Sequence, residues 1–99
     1  MAASGARRRA RARPRPFEFG YTVTPSTLPC GTVTFNIKNA GSSDHDFIIE
    51  GLIGGGSRLF GPGESGTLTV TLPPGTWTYY CSVPTHRALG MEGKLTVTG

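Results

Sequence analysis

Cys81, His86 and Met91 stand five residues apart in the run YYCSVPTHRALGMEGKLTV. A thiolate, an imidazole and a thioether are soft-to-borderline donors, the kind that suits copper. Cys81 closes one alternating stretch and Lys94 opens the next, so the three donors are expected to line one loop. The only other histidine, His45, lies 36 residues before the cysteine and begins the Phe47–Ile49 run. By strand parity it faces the same way as Phe47 and Ile49, the side expected to be inward.

Each of these residues has a plainer reading. A cysteine at a strand end is commonly a small buried hydrophobe, and a methionine fills gaps in a core. His86 alone could be a surface loop residue, and His45, between Asp44 and Asp46, a solvated turn residue. Taken jointly they match one pattern: two histidines, one cysteine and a weak axial methionine are the donor set of a blue-copper electron-transfer site.

Elements able to position such a set are visible from Phe17 onward. Phe17, Phe19, Tyr21 and Val23 alternate with polar or small residues and predict a first strand. Val33, Phe35 and Ile37 predict a second, with Thr32, Thr34, Asn36 and Lys38 on its other face; Phe47 and Ile49 make a short third. Leu68, Val70 and Leu72, then Trp77, Tyr79 and Cys81, then Leu95 and Val97, complete six strands, with a short seventh possible near Leu59. Turn residues separate them at Thr24-Pro25-Ser26, Asn39-Ala40-Gly41, Gly61-Pro62-Gly63 and Pro73-Pro74-Gly75. Short alternating strands within about 80 residues predict an all-β sandwich or barrel. The stretch from Gly51 to Ser65, with Gly54-Gly55-Gly56, reads as a flexible surface loop.

Ninety-nine residues make one domain. The net charge of +4 is a property of one end, since six of the ten basic residues lie within the first sixteen positions. The remainder carries four basic and six acidic residues, a balance of −2. Residues 1–16, MAASGARRRARARPRP, contain only Ala, Arg, Pro, Ser and Gly besides the initial Met, cannot bury an apolar face and are expected to be a disordered tail, leaving 17–99 as the folded domain. The tail reads as a solvated segment or misplaced start, as the remnant of an export leader, or as a nucleic-acid arm. No aromatic residue lies among its arginines to stack on a base, and no nucleic-acid partner is expected. No stretch is long and apolar enough to span a bilayer.

From about residue 17 to 99 the chain resembles the cupredoxins, the plastocyanin, azurin, auracyanin and sulfocyanin group. GTWTYYC followed by His86 and GMEGKLTV is similar to the end of plastocyanin, and Asn39-Ala40-Gly41 leading to His45 is similar to the family's approach to its first histidine ligand. Four residues separate Cys81 from His86, closer to the azurin and auracyanin spacing than to the two of plastocyanin. The resemblance implies a Greek-key sandwich of seven or eight strands and one copper ion held by His45, Cys81, His86 and Met91. It also implies that Asp46, or the Ser82 hydroxyl, ties the two ligand segments together. An apolar patch of Leu52, Ile53, Val83, Pro84, Ala88 and Leu89 is expected around His86, where redox proteins such as cytochromes or membrane electron-transfer complexes would dock on a monomer.

The expected function is one-electron shuttling through Cu(I)/Cu(II), outside the cytoplasm or in the periplasm as in the family. An enzyme is not expected: a filled ligand set leaves no open metal position, and both histidines are already used. The alternative is a copper carrier or store, or an accessory domain without its own electron-transfer role. A Cys30–Cys81 disulfide would abolish the site, and Cys30 is expected instead to be a buried free thiol.

Overall fold

A computed structural model of the chain describes residues 9–18 and 20–99. Among them are eight strands: β1 (Arg9–Phe17), β2 (Gly20–Thr24), β3 (Thr27–Pro29), β4 (Gly31–Lys38), β5 (Ile48–Ile49), β6 (Ser65–Leu72), β7 (Gly75–Tyr80) and β8 (Glu92–Thr98). One 3-10 turn, Arg87–Leu89, precedes β8. The strands form two four-stranded sheets, ordered β2-β1-β4-β6 and β3-β8-β7-β5, and from β2 to β7 the chain alternates between them. The all-β sandwich is the expected class.

Period-two alternation does the positioning. In β4, Val33, Phe35 and Ile37 are buried while Thr32, Thr34 and Asn36 are half-buried on the other face. Leu68, Val70 and Leu72 of β6 meet them in register, Val33 opposite Val70 and Phe35 opposite Leu68. Leu28, Ile49, Tyr79, Leu95 and Val97 from the second sheet join the same apolar cluster. Tyr21, Phe47 and Tyr79 pack ring against ring at 5.1–5.8 Å between centroids, the edge and tilted arrangements aromatic pairs favour.

The N-terminal expectation needs correction. Residues 9–16, read as disordered tail, belong to β1, so the folded domain begins no later than Arg9; residues 1–8 lie outside the described residues. The reason is an alternation built from small residues. Ala12, Pro14 and Pro16 are buried while Arg11, Arg13 and Arg15 are exposed, so a narrow inward face exists without any large hydrophobe. Over Arg9–Ala12 the strand runs parallel to β4, and over Arg13–Phe17 antiparallel to β2. Both prolines thus fall in the half paired with β2 alone, which suits residues lacking an N–H.

The first expected strand is also divided. Phe17 ends β1 at 42% exposure and pairs with Gly20 across a two-residue hairpin, so Glu18 sits at the turn; Phe19 lies outside the described residues. The stretch 51–65, expected as a flexible loop, is pinned to the fold. Gly56 bridges Ile48 and Phe60 bridges His45, the Phe47 N–H donates to Ser57 Oγ at 2.9 Å, and Phe60 is buried. Cys30 and Cys81 are both buried free thiols. Among the described residues no helix is long and apolar enough to cross a membrane.

Candidate metal centre

Three expected ligands converge. Ligand atoms of His45, Cys81 and His86 all lie within 4.8 Å of one another. The sulfur is 3.6 Å from His86 Nδ1 and 4.0 Å from His45 Nδ1. A metal with bonds of about 2.3 Å to sulfur and 2.0 Å to nitrogen would set such atoms about 3.7 Å apart at trigonal angles. The separations fit a shared ion. The two imidazole centroids are 5.0 Å apart.

Two different constructions bring the ligands together. His45 comes from the strand side. It is fully buried, and its backbone exchanges hydrogen bonds with Phe60 in both directions, at 3.0 and 2.8 Å. The turn before it is organised by buried Asn39, whose amide donates to the Ser43 and Phe60 carbonyls and whose oxygen accepts from the Gly41 N–H. Cys81, His86 and Met91 come from one eleven-residue loop, 81–91, that closes on itself. The Cys81 N–H donates to the Met91 carbonyl and the Met91 N–H to the His86 carbonyl, each at 3.1 Å. Met91 is fully buried and His86 half-buried. Thr85, directly before His86, has φ 72°, a left-handed conformation that a β-branched residue rarely adopts.

Asp46 joins the two constructions. Its carboxylate accepts from the Ser82 N–H at 2.7 Å and from the Ser82 hydroxyl, and its carbonyl accepts from the Tyr21 hydroxyl at 2.6 Å. Burial pushes the Tyr21 phenol up, which keeps it a neutral donor. Burial likewise pushes the Cys81 thiol up, while the Asp46 and Val83 N–H groups favour the thiolate. A buried thiol of this kind ionises readily only beside a cation.

Of the expected apolar patch, Val83, Pro84 and Ala88 line one shallow groove with Cys81 and Arg87. Leu89 is exposed on the adjoining 3-10 turn. Leu52 packs towards the core and Ile53 is 100% exposed, and neither lines that groove. Tyr80 lies under the Arg87 guanidinium, 4.2 Å from ring centroid to Cζ. Arg87 also bonds Glu50 at 2.7 Å and Glu92 at 3.0 Å, bracing the ligand loop against the ends of β5 and β8.

Glu18 is the residue the sequence reading missed. From the β1–β2 turn its Oε1 reaches His45 Nε2 at 2.9 Å. The same carboxylate accepts from the Ser42 N–H, the Ser43 N–H and the Ser42 hydroxyl. These donors, the Ser42 N–H foremost, then His45 and Ser43, hold its carboxyl down at about 2. No local pattern announces it, since 27 residues separate it from the histidine.

The family model for copper binding proteins of the plastocyanin/azurin family matches residues 30–98. Auracyanin-B of Chloroflexus aurantiacus is 49% identical over 43 residues, a match covering 42% of this chain and only 18% of that relative. An auracyanin B structure aligns with a TM-score of 0.78 at 23% identity, covering 91% of this chain and 89% of the other. Auracyanin A of Chloroflexus aurantiacus aligns with a TM-score of 0.76 at 24% identity, covering 92% and 100%. At those identities the structural likeness speaks for the fold, while the family match extends over both cysteines, both histidines and Met91. With two imidazoles and a cysteine sulfur gathered at one point and Met91 buried at the end of the same loop, the chain belongs to the plastocyanin/azurin family of copper-binding proteins, and copper is the metal its site is built to take.

Proposed function

We propose that this protein is a type 1 copper carrier of single electrons, with His45, Cys81, His86 and Met91 as its ligands. The observation that supports this best is the closure of Cys81, His86 and His45 Nδ1 to within 4.8 Å, with Met91 buried at the end of the same loop. Copper supplies the Cu(I)/Cu(II) couple; the chain supplies the constraint. His45 is held by a β-bridge, Cys81 and Met91 by a mutual backbone bond, and Asp46 fastens one set to the other. Ligands held this way move little when the charge changes, which favours fast transfer. The buried, apolar surroundings keep water from the sulfur and tune the potential.

Electrons would pass at the His86 side, where Val83, Pro84, Ala88 and Leu89 offer an apolar surface to redox proteins such as cytochromes. Leu52 and Ile53 would extend that surface only with a partner large enough to span both loops. An extracytoplasmic location fits the family. Both histidines are committed to one metal, which favours a carrier over an enzyme.

The test is a visible spectrum after one equivalent of Cu(II). The expected result is an intense charge-transfer band, bleached by ascorbate and restored by an oxidant, with rapid electron self-exchange. A band accompanied by slow exchange and easy copper release would instead favour metal carriage. A colourless protein with reduced thiols would refute the assignment.

A further inference from the structure

We propose that Glu18 is a positioning residue of the metal centre: its carboxylate fixes the His45 imidazole through Nε2 and makes Nδ1 a stronger donor to the oxidised ion. The inference rests on the copper reading above and adds a residue to that site.

Four observations carry it. His45 is fully buried, and its Nε2 lies 2.9 Å from Glu18 Oε1. A carboxylate only accepts, so Nε2 carries the ring proton it donates to Glu18, and Nδ1, 4.0 Å from Cys81 Sγ, is left to face the metal. That is the carboxylate–histidine–metal arrangement, which sets the tautomer, orients the ring and raises its basicity. Second, Glu18 is not a wandering surface acid. Its side chain is 30% exposed, and it is clamped by the Ser42 and Ser43 N–H groups at 2.8–3.0 Å and by the Ser42 hydroxyl at 3.3 Å. Third, the clamp closes on the turn that leads into His45, so the same carboxylate aligns the ligand's backbone and its ring.

Fourth, the chain leaves room for this contact. A Cβ on Gly41 would lie 2.5 Å from Glu18 Oε1 and 2.8 Å from His45 Nε2. Only glycine at position 41 admits the carboxylate and the imidazole together. The placement of Glu18 depends in turn on the two-residue hairpin between β1 and β2.

A purely structural role would be anchoring the 41–43 turn, and charge separates the two roles. Glu18→Gln keeps the length and the acceptor oxygen but removes the negative charge. Expected is a folded, coloured protein whose Cu(II) affinity falls about tenfold, the low end for lost outer partners of metal-bound histidines. With Cu(I) affinity unchanged, that selective tenfold loss raises the reduction potential by about 59 mV. An unchanged potential in Glu18→Gln would overturn the proposal, even if the melting temperature fell.

A second measurement needs no metal. Nitrogen-15 spectra of the apo-protein should show His45 as the Nε2–H tautomer, and Glu18→Ala should lose that preference. A wild-type chain that takes up no copper would refute the copper reading; the Glu18 proposal then stands or falls on the apo tautomer, and an identical His45 spectrum in Glu18→Ala overturns it.

Discussion

The metal centre has two halves that solve the same problem differently. His45 is held by distant parts of the chain: Phe60 across a bridge, Asn39 through the preceding turn, Glu18 from the β1–β2 hairpin. Cys81, His86 and Met91 are spaced by backbone bonds within their own loop, none spanning more than ten residues, with Asp46 and Glu50 tying that loop to the rest of the fold. The difference shows in the backbone. The loop half carries a threonine at φ 72°, whereas the strand half carries its polar load on buried side chains with every donor and acceptor matched. A short loop can set ligand spacing by itself, but it does so at some local strain; a strand-borne ligand avoids strain and needs partners from everywhere.

The comparison can be broken most severely at the sulfur. Cys81→Ser removes the donor that both histidines face, and the charge-transfer band is expected to vanish while far-ultraviolet circular dichroism stays that of a folded β-protein. A band that survived would dismiss the thiolate as ligand. Next in size is the joint between the halves. Asp46→Ala deletes two bonds from Ser82 to the carboxyl oxygens, and hydrogen bonds of this class contribute about 1.5–3 kcal/mol each. A loss of about 2 kcal/mol in urea unfolding of the apo-protein is expected, with solvent replacing part of what is lost at exposed Ser82. If stability held, the halves would be independent.

A smaller change should sharpen the contrast. Thr85→Asn places a residue that tolerates the left-handed region at φ 72° and should stabilise the apo-protein by about 1 kcal/mol, the low end of what such a residue stores. Destabilisation would show that the loop is not strained there. The smallest effect belongs to the strand half. Glu64 accepts from the Gly61 N–H at 2.6 Å, and this bond, aided by Arg58, holds its carboxyl below the ordinary value of 4.5. A carboxyl lowered by folding adds stability above pH 4.5 and loses it as pH falls through the folded value. Glu64→Gln should therefore be slightly less stable than wild type at pH 7 and converge with it in acid. A constant gap across pH would point to packing rather than charge.

The same contrast decides what could be read in advance. The loop half is legible because its ligands are neighbours in sequence, and equal spacing of Cys81, His86 and Met91 is a local pattern. His45 is legible through parity with Phe47 and Ile49, both buried beside it. Glu18 is not, because a contact across 27 residues leaves no periodic trace. Strand β1 was hidden for another reason. Its inward face is alanine and proline, and pattern reading weighs large apolar side chains, so a true alternation of Ala and Arg passes for a solvated charge run. The hairpin at Phe17–Gly20 was obscured because Phe17, Phe19, Tyr21 and Val23 alternate without a break in the sequence, although Phe17 ends β1 exposed, out of phase with the buried Ala12, Pro14 and Pro16.

Strand β1 has one more consequence. Its first four residues lie along β4 from Thr32 to Phe35, on the side away from β6. Were the chain to start at Phe17, that margin of an eight-residue β-branched and aromatic strand would carry unpaired N–H and C=O groups, a ready template for another copy. In the complete fold the outermost faces of β1 instead present Arg11, Arg13 and Arg15, exposed and of one sign. Charges of one sign repel, so removal of residues 9–16 is expected to be felt first as turbidity, and a truncated chain that stays clear would show that this margin does not matter.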